Sequence, residues 1–317
     1  MTSRGRERLA RPGARRHPKR RASFFFGVAV FGVVVLTAVF APLLAPHNPT
    51  NQQLSAALLP PAWMKGGSLS HLLGTDQLGR DELSRIIFGS RISVVVGLGA
   101  ALVAGLVGVP LGMLSGYLGG AVDAVMTVVL NVFIAFPFLL LALLVAAIVG
   151  PGFINTLFIL GIAGWPVYAR VIRAEVLSLR ERGHVEAARA MGFSSGRILR
   201  RHVLPSVWPT FVVLASLQVG QMILAEAFLS FLGLGVQPPT STWGNMLAGS
   251  ENLIYSQWWL MVFPGIAILL TVLSVNFIAD GVRDMLRPEA NLFEPGRSLR
   301  VRNRQPMVGA SSVSVVQ

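Results

Sequence analysis

The sequence has no cysteine, which excludes a disulfide framework and any thiolate metal site. Its five histidines show no paired ligand spacing, so no metal centre is read from them. Charge is also scarce, with 13% charged residues against 53% hydrophobic ones and a mean hydropathy of +0.63. That balance is too apolar for an ordinary soluble domain. Lysine occurs only at Lys19 and Lys65, and neither stands at the end of a glycine-rich loop before Ser or Thr. A phosphate cradle of the Walker A type, and with it an ATPase on this chain, is therefore excluded. HExxH, GxSxG and His–carboxylate clusters are missing from the apolar stretches, which leaves a membrane-embedded enzyme without a catalytic set. Neither an inverted repeat nor linked ionisable groups, the marks of a secondary transporter, are visible.

What is present is long uncharged sequence, at residues 22–64, 92–122, 124–169, 202–225 and 252–279. Each run fits at least one membrane span of about 20 residues. The third is long enough for two and is cut by Gly150, Pro151 and Gly152, which favour a turn over a helix interior. Six helical spans are predicted, near residues 23–45, 92–116, 125–149, 153–168, 207–234 and 258–279. The first follows a basic stretch and is longer than a signal-peptide core, so it reads as an uncleaved span. A cleaved leader is the alternative, because AVFAPLLA offers small residues to a peptidase.

Basic residues fix the orientation. Nine Lys and Arg precede the first span, eight fall between Arg170 and Arg201, and six follow Ala279, 23 of the 27 in all. These three segments are assigned to the cytoplasm, with both termini. The other four, Lys65, Arg80, Arg85 and Arg91, share the long outer segment with Asp76, Asp81 and Glu82. The net charge of +13 and a pI near 11.6 are thus a topology signal, with anionic lipid as counter-charge; no basic stripe interleaved with aromatics points to nucleic acid.

One polar insert interrupts this pattern, HVEAARAMGFSSGRILRRHVLP at residues 184–205. Residues 170–179 prolong the fourth span, and Gly183 weakens the helix by about 1 kcal/mol relative to Ala. A short helix is expected next, closed by Gly192 in a left-handed turn. Ser194 or Ser195 then caps a second helix with Ile198, Leu199, His202 and Val203 on one face and Arg197, Arg200 and Arg201 on the other. An amphipathic loop resting on anionic headgroups is the plain reading. The small residues Ala187, Ala188 and Gly192 favour another, a knob with accessible backbone that enters a groove on a partner and is oriented by Glu186 and the arginines.

At these positions the chain resembles the membrane subunits of ATP-binding-cassette importers, whose cytoplasmic loop carries Glu-Ala-Ala, a Gly four residues after the second Ala, and a later Leu-Pro. Glu186, Ala187, Ala188, Gly192, Leu204 and Pro205 match. His202 stands where the general pattern prefers Ile, a variant similar to the C-type subunits of the dipeptide, oligopeptide and nickel branch. The stretches at residues 71–97 and 225–247 carry the same likeness. The resemblance implies an all-α integral membrane protein of six transmembrane helices, with a cytoplasmic coupling-helix loop between spans four and five. It implies a bacterial-type inner membrane location and a permease role for peptides, with nickel or glutathione-like solutes as alternatives. The implied partners are a second homologous permease subunit, two ATPase subunits that carry ATP and Mg, and an extracytoplasmic solute-binding protein. Glu186, Ala187, Ala188, Gly192, His202, Leu204 and Pro205 become the expected ATPase-coupling residues.

Inside the spans, Glu226 is the one deep acidic residue, and an ionisable group there is a functional candidate by default. Two readings stay open: it faces the solute path, or it pairs with a neighbouring helix and fixes packing. Asn131, Gln218, Gln221 and Asn276 are secondary candidates for the path. Ala104, Gly108, Gly112 and Gly116 form a four-residue stripe that admits a close helix, within this chain or from the second permease subunit. The organisation is a basic cytoplasmic tail at 1–22, a first helix at 23–45, an outer segment at 46–91 ending in an interfacial elbow helix, a five-helix core at 92–282 that includes the loop 170–205, and an unstructured tail at 283–317. By the resemblance, the outer segments, including residues 237–257, meet the binding protein or the outer gate; a plain connection between helices is the alternative.

Overall fold

The computed structural model describes residues 18–286, so most of the basic N-terminal tail and nearly all of the C-terminal tail lie outside the described residues. Eleven helices are present among them: α1 Pro18–Val39, α2 Ala41–Leu44, α3 Glu82–Leu118, α4 Gly120–Ala135, α5 Phe138–Val149, α6 Phe153–Leu179, α7 Gly183–Ala190, α8 Ser195–Ile198, α9 Leu204–Phe231, α10 Trp243–Ala248 and α11 Trp259–Leu286. No strand occurs among the described residues; a single isolated bridge joins Thr75 to Asp81.

Five helical stretches are long and apolar enough to cross a membrane: α1, α3, α6, the run from Ser195 to Phe231, and α11. The sequence predicts one span over 125–149. In the structure this stretch is two helices, α4 and α5, bent by 86° at a break. Pro137 is the cause, since it biases the preceding residue away from helix. Phe136 is extended at φ −89° and ψ 132°. A sixth crossing exists only if the bent pair counts as one.

The second span also differs. The helix begins at Glu82 rather than Ile92 and runs unbroken for 37 residues, about 55 Å against a hydrocarbon core of about 30 Å. Asp81 starts it early by accepting the Ser84 amide at 2.8 Å, the bond an N-cap makes to an orphan donor. Residues 82–91 are therefore the first turns of α3, where an interfacial elbow helix is predicted. Glu82 and Arg85 are buried there.

Close backbone approach between α3 and α6 builds the core. A methyl placed on Gly108 would lie 2.5 Å from the Trp165 carbonyl oxygen, and one on Gly112 2.5 Å from that of Ala169. The small-residue stripe therefore faces α6 of the same chain. Its alternative use, against the second permease subunit, is overturned by that contact. Tyr168 of α6 donates its hydroxyl to the Ala101 carbonyl of α3 at 3.0 Å, which satisfies a buried polar group inside the same seam. α9 closes the core with Met222, Ile223 and Leu229 fully buried. α1 lies on α11, where a methyl on Gly27 would meet the Ser274 carbonyl oxygen at 2.7 Å.

Candidate functional site

α6 ends at Leu179 with Arg180 as its C-cap, and α7 runs from Gly183 to Ala190 with Met191 as its C-cap. Gly192 takes φ +78°, a left-handed value that glycine adopts without a Cβ penalty. Its amide donates to the Arg189 carbonyl at 2.9 Å and that of Phe193 to the Ala188 carbonyl at 3.2 Å. Ser194 is the N-cap of α8, without a side-chain capping bond. A wider turn over Leu199–Val203 then leads into α9, whose Pro205 sits in the first turn, where a missing N–H costs little.

This hairpin has two faces. Val185, Ala188, Ile198 and Val203 are buried and belong to the main core cluster. Glu186, Ala187, Gly192, Leu204 and Pro205 are exposed, and His202 is half-buried. Ala188, at 1% exposure, is thus a correction: the sequence groups it with the accessible backbone, but its methyl is part of the inner face. A helix with small residues on one side does not by itself say which side turns inward.

The hairpin is fastened to the bundle by basic side chains. Arg189 lies 5.5 Å from the centroid of Tyr117, near the end of α3, an attractive cation–π distance. Arg173 of α6 forks onto Asp123 of α4, with Nε and Nη2 donating at 2.5 and 2.7 Å. Ser115 of α3 donates to the same carboxylate at 2.6 Å. Sequence reasoning does not single out Asp123, Arg173 or Tyr117; the signal available was an acid in the first turn of α4 facing the basic extension of α6.

The path candidates do not converge. Glu226 is fully buried and accepts hydroxyl protons from Ser93 and Ser230, each at 2.8 Å, with a third hydrogen bond to Thr242. It thereby joins α3, α9 and the start of α10, and none of the other four candidates is among these partners. Gln218 is buried, while Asn131, Gln221 and Asn276 are exposed on α4, α9 and α11.

A second polar group lies before α3. Asp76 Oδ2 receives Arg80 Nε and Arg85 Nη1, both at 2.6 Å, and Oδ1 receives the amides of Leu78 and Arg80 at 2.9 Å. Beside it His71 Nδ1 is 2.9 Å from Asp81 Oδ1, with the His47 ring stacked 4.7 Å from that of His71. The sequence gives no sign of this pairing, because the two histidines sit in irregular chain without a period.

Comparison with known proteins decides the family. Residues 108–291, which include the whole hairpin, match the model of the binding-protein-dependent transport system inner membrane component. The chain belongs to that family. Residues 13–61 of this permease match a second model, the N-terminal transmembrane domain of oligopeptide transport permease C. The dipeptide transport system permease protein DppC of Escherichia coli strain K12 is 44% identical over 271 residues, 86% of this chain and 90% of that protein. The di/tripeptide transport system permease protein DppC of Pseudomonas aeruginosa is 41% identical over 263 residues, 83% and 87% of the two chains. Among solved structures, an inward-facing form of the MetNI methionine transporter aligns with a TM-score of 0.53 at 20% identity, over 64% of this chain and 96% of that one. That likeness concerns the fold of the permease alone.

Proposed function

We propose that this permease forms, with a second homologous membrane subunit, the translocation path of an ATP-driven importer of di- and oligopeptides. The observation that carries this reading is the two-faced hairpin: its inner side is continuous with the core, while Glu186, Ala187 and Gly192 stand exposed beyond the bundle. Such a knob suits insertion into a groove on another protein. The basic-residue asymmetry supports a cytoplasmic place for it and for both termini. With only Lys19 and Lys65 as lysines, ATP and Mg belong on two separate ATPase subunits. The names of the relatives support peptides as the solute, delivered by an extracytoplasmic binding protein on the opposite face.

Mechanically, closure of the ATPase pair moves the hairpin, and the rigid attachments of α7 to α3 and of α6 to α4 turn that displacement into helix rocking between inward-open and outward-open forms. Each attachment is an interaction already described: Arg189 on Tyr117, and Arg173 on Asp123. Leu204 and Pro205 open α9, so the same motion reaches the helix that holds Glu226.

The test uses proteoliposomes with the complete set of subunits and a labelled dipeptide. Accumulation that needs ATP, the binding protein and an intact hairpin is the expected result. Uphill uptake by vesicles holding this chain alone would overturn the reading.

A further inference from the structure

His47, His71 and Asp81 come from three separate stretches of the segment that joins α2 to α3, yet their donor atoms converge. One ring nitrogen from His47, one from His71 and a carboxylate oxygen of Asp81 all lie within 4.8 Å of one another. The two separations to Asp81 Oδ1 are 2.9 Å from His71 and 3.8 Å from His47. Ligands held about 2.0–2.1 Å from a zinc ion in a tetrahedron stand about 3.3–3.4 Å apart, so the two distances bracket that spacing.

A simple hydrogen-bonded cluster accounts for only part of this geometry. One proton between His71 and Asp81 satisfies that pair, but His47 Nδ1 is buried, faces the same oxygen and has no hydrogen-bond partner. A buried polar atom without a partner asks for an explanation, an ion among them. A cation between the three groups would satisfy both ring nitrogens and the carboxylate together.

The surrounding contacts hold the donors in place. Asp81 Oδ2 accepts from the Ser84 amide and hydroxyl at 2.8 and 2.7 Å, leaving Oδ1 turned toward the histidines. The Ser84 hydroxyl oxygen also accepts the His47 amide at 3.0 Å, so one serine fixes a ligand from each side. Such supporting bonds are how metal sites orient their ligands. Arg80 and Arg85, cations of the neighbouring turns, are engaged by Asp76 and do not compete for Asp81.

We propose that His47, His71 and Asp81 bind one divalent transition-metal ion of the zinc class, which clamps the chain leaving α2 to the loop and cap that start α3. Two imidazoles and a carboxylate suit zinc and its first-row neighbours better than calcium or magnesium. His47 also helps to line a cavity of about 660 Å³ with Arg91, Thr240 and Ser241, a route by which water reaches the His47 side of the site. The clamp does not depend on the solute carried, so its failure would leave the transport reading untouched.

The test is zinc titration of the assembled transporter, purified with an affinity tag free of histidine, stripped with a chelator and read by competition with a chromophoric chelator. The wild type is expected to hold one equivalent per copy of this chain and to melt at a higher temperature when loaded. His47→Gln removes the ligand whose Nδ1 makes no hydrogen bond, so the fold without metal should be kept while zinc affinity falls about 100-fold or more. Cobalt substituted in the wild type should give the intense visible bands of a four-coordinate site, lost in the same variant. Stoichiometric zinc bound equally by wild type and His47→Gln, or none bound by the wild type, would overturn the proposal.

Discussion

Before α3, Asp76 takes two arginines and two backbone amides on its carboxylate, and Asp81 takes Ser84 and His71. In the hairpin, Glu186, Arg200 and Arg201 point outward, and Glu186 makes no ion pair among the described residues. Both regions look alike in sequence, each a polar interruption between apolar runs. They differ in how the polar groups are held: paired inside the chain in the first, largely exposed in the second. A charge satisfied within the chain holds the fold, and a charge left at the surface of a rigid knob is free to meet another protein.

Substitutions in the two regions should therefore fail in different ways. The largest effect is expected from Asp76→Ala, which takes the close partner at 2.6 Å from the buried Arg85 guanidinium and leaves it only Glu82 at 3.8 Å. Breaking a buried pair by removing one partner costs about 3–5 kcal/mol. The variant should lose folded protein, read as a collapse of thermal stability in detergent, and near-normal melting would show that solvent already reaches Arg85. Ala188→Glu should behave in the same way although it lies in the hairpin, because its side chain is in the core.

Next comes the seam that carries both regions. Gly112→Leu forces a side chain against the Ala169 carbonyl, 2.5 Å from where the first carbon would sit. Overpacking of this kind costs about 1–3 kcal/mol. Gly32→Ala is the control, since nothing lies within 4 Å of its added methyl, and it should not lower stability but gain up to about 1 kcal/mol of helix propensity. Equal melting of the two variants would mean that α3 and α6 are not pressed together as described.

Ala187→Glu separates fold from coupling. The residue is exposed, so stability should move by less than about 0.5 kcal/mol. Solute-stimulated ATP hydrolysis and dipeptide uptake should both fall to background. Neighbouring alanines that give opposite outcomes, unfolding at 188 and uncoupling at 187, would be the most direct demonstration that the hairpin has an inner and an outer face. Wild-type uptake in Ala187→Glu would remove that distinction.

Much of this was legible in the sequence, and the parts that were not share a cause. Gly183, Gly192 and Pro205 mark the hairpin's turns because each residue type acts on local backbone geometry. The spans were visible because a bilayer demands length and apolarity from each segment separately. Pro137 was a break signal of the same local kind, hidden by the apolar run on both its sides. The meeting of His47 with His71, the Asp123–Arg173 fork and the inward turn of Ala188 depend on how distant segments pack. No period or spacing records such contacts. Glu226 shows the same limit: its depth in a span and its i,i+4 spacing to Ser230 were readable, but Ser93 of α3 and Thr242 before α10 reach it from distant parts of the chain.

The finest test of transmission belongs to Asp123→Asn. Its pair with Arg173 is partly exposed, with 21% and 25% of the two side chains accessible, and exposed pairs contribute about 0–1 kcal/mol, a two-bond fork standing at the upper end. Melting should barely change. The fork nevertheless joins α6, just ahead of the hairpin, to the start of α4, and its two parallel bonds fix an angle that a single contact does not. If rocking is carried through that angle, uptake should fall several-fold while ATP hydrolysis continues, so that ATP is spent without transport. Arg173→Lys keeps the charge but loses the planar fork, and it should reproduce the defect. Should both variants transport as well as wild type, α4 is a passenger, and the displacement of the hairpin must reach the path through Tyr117 and α3 instead.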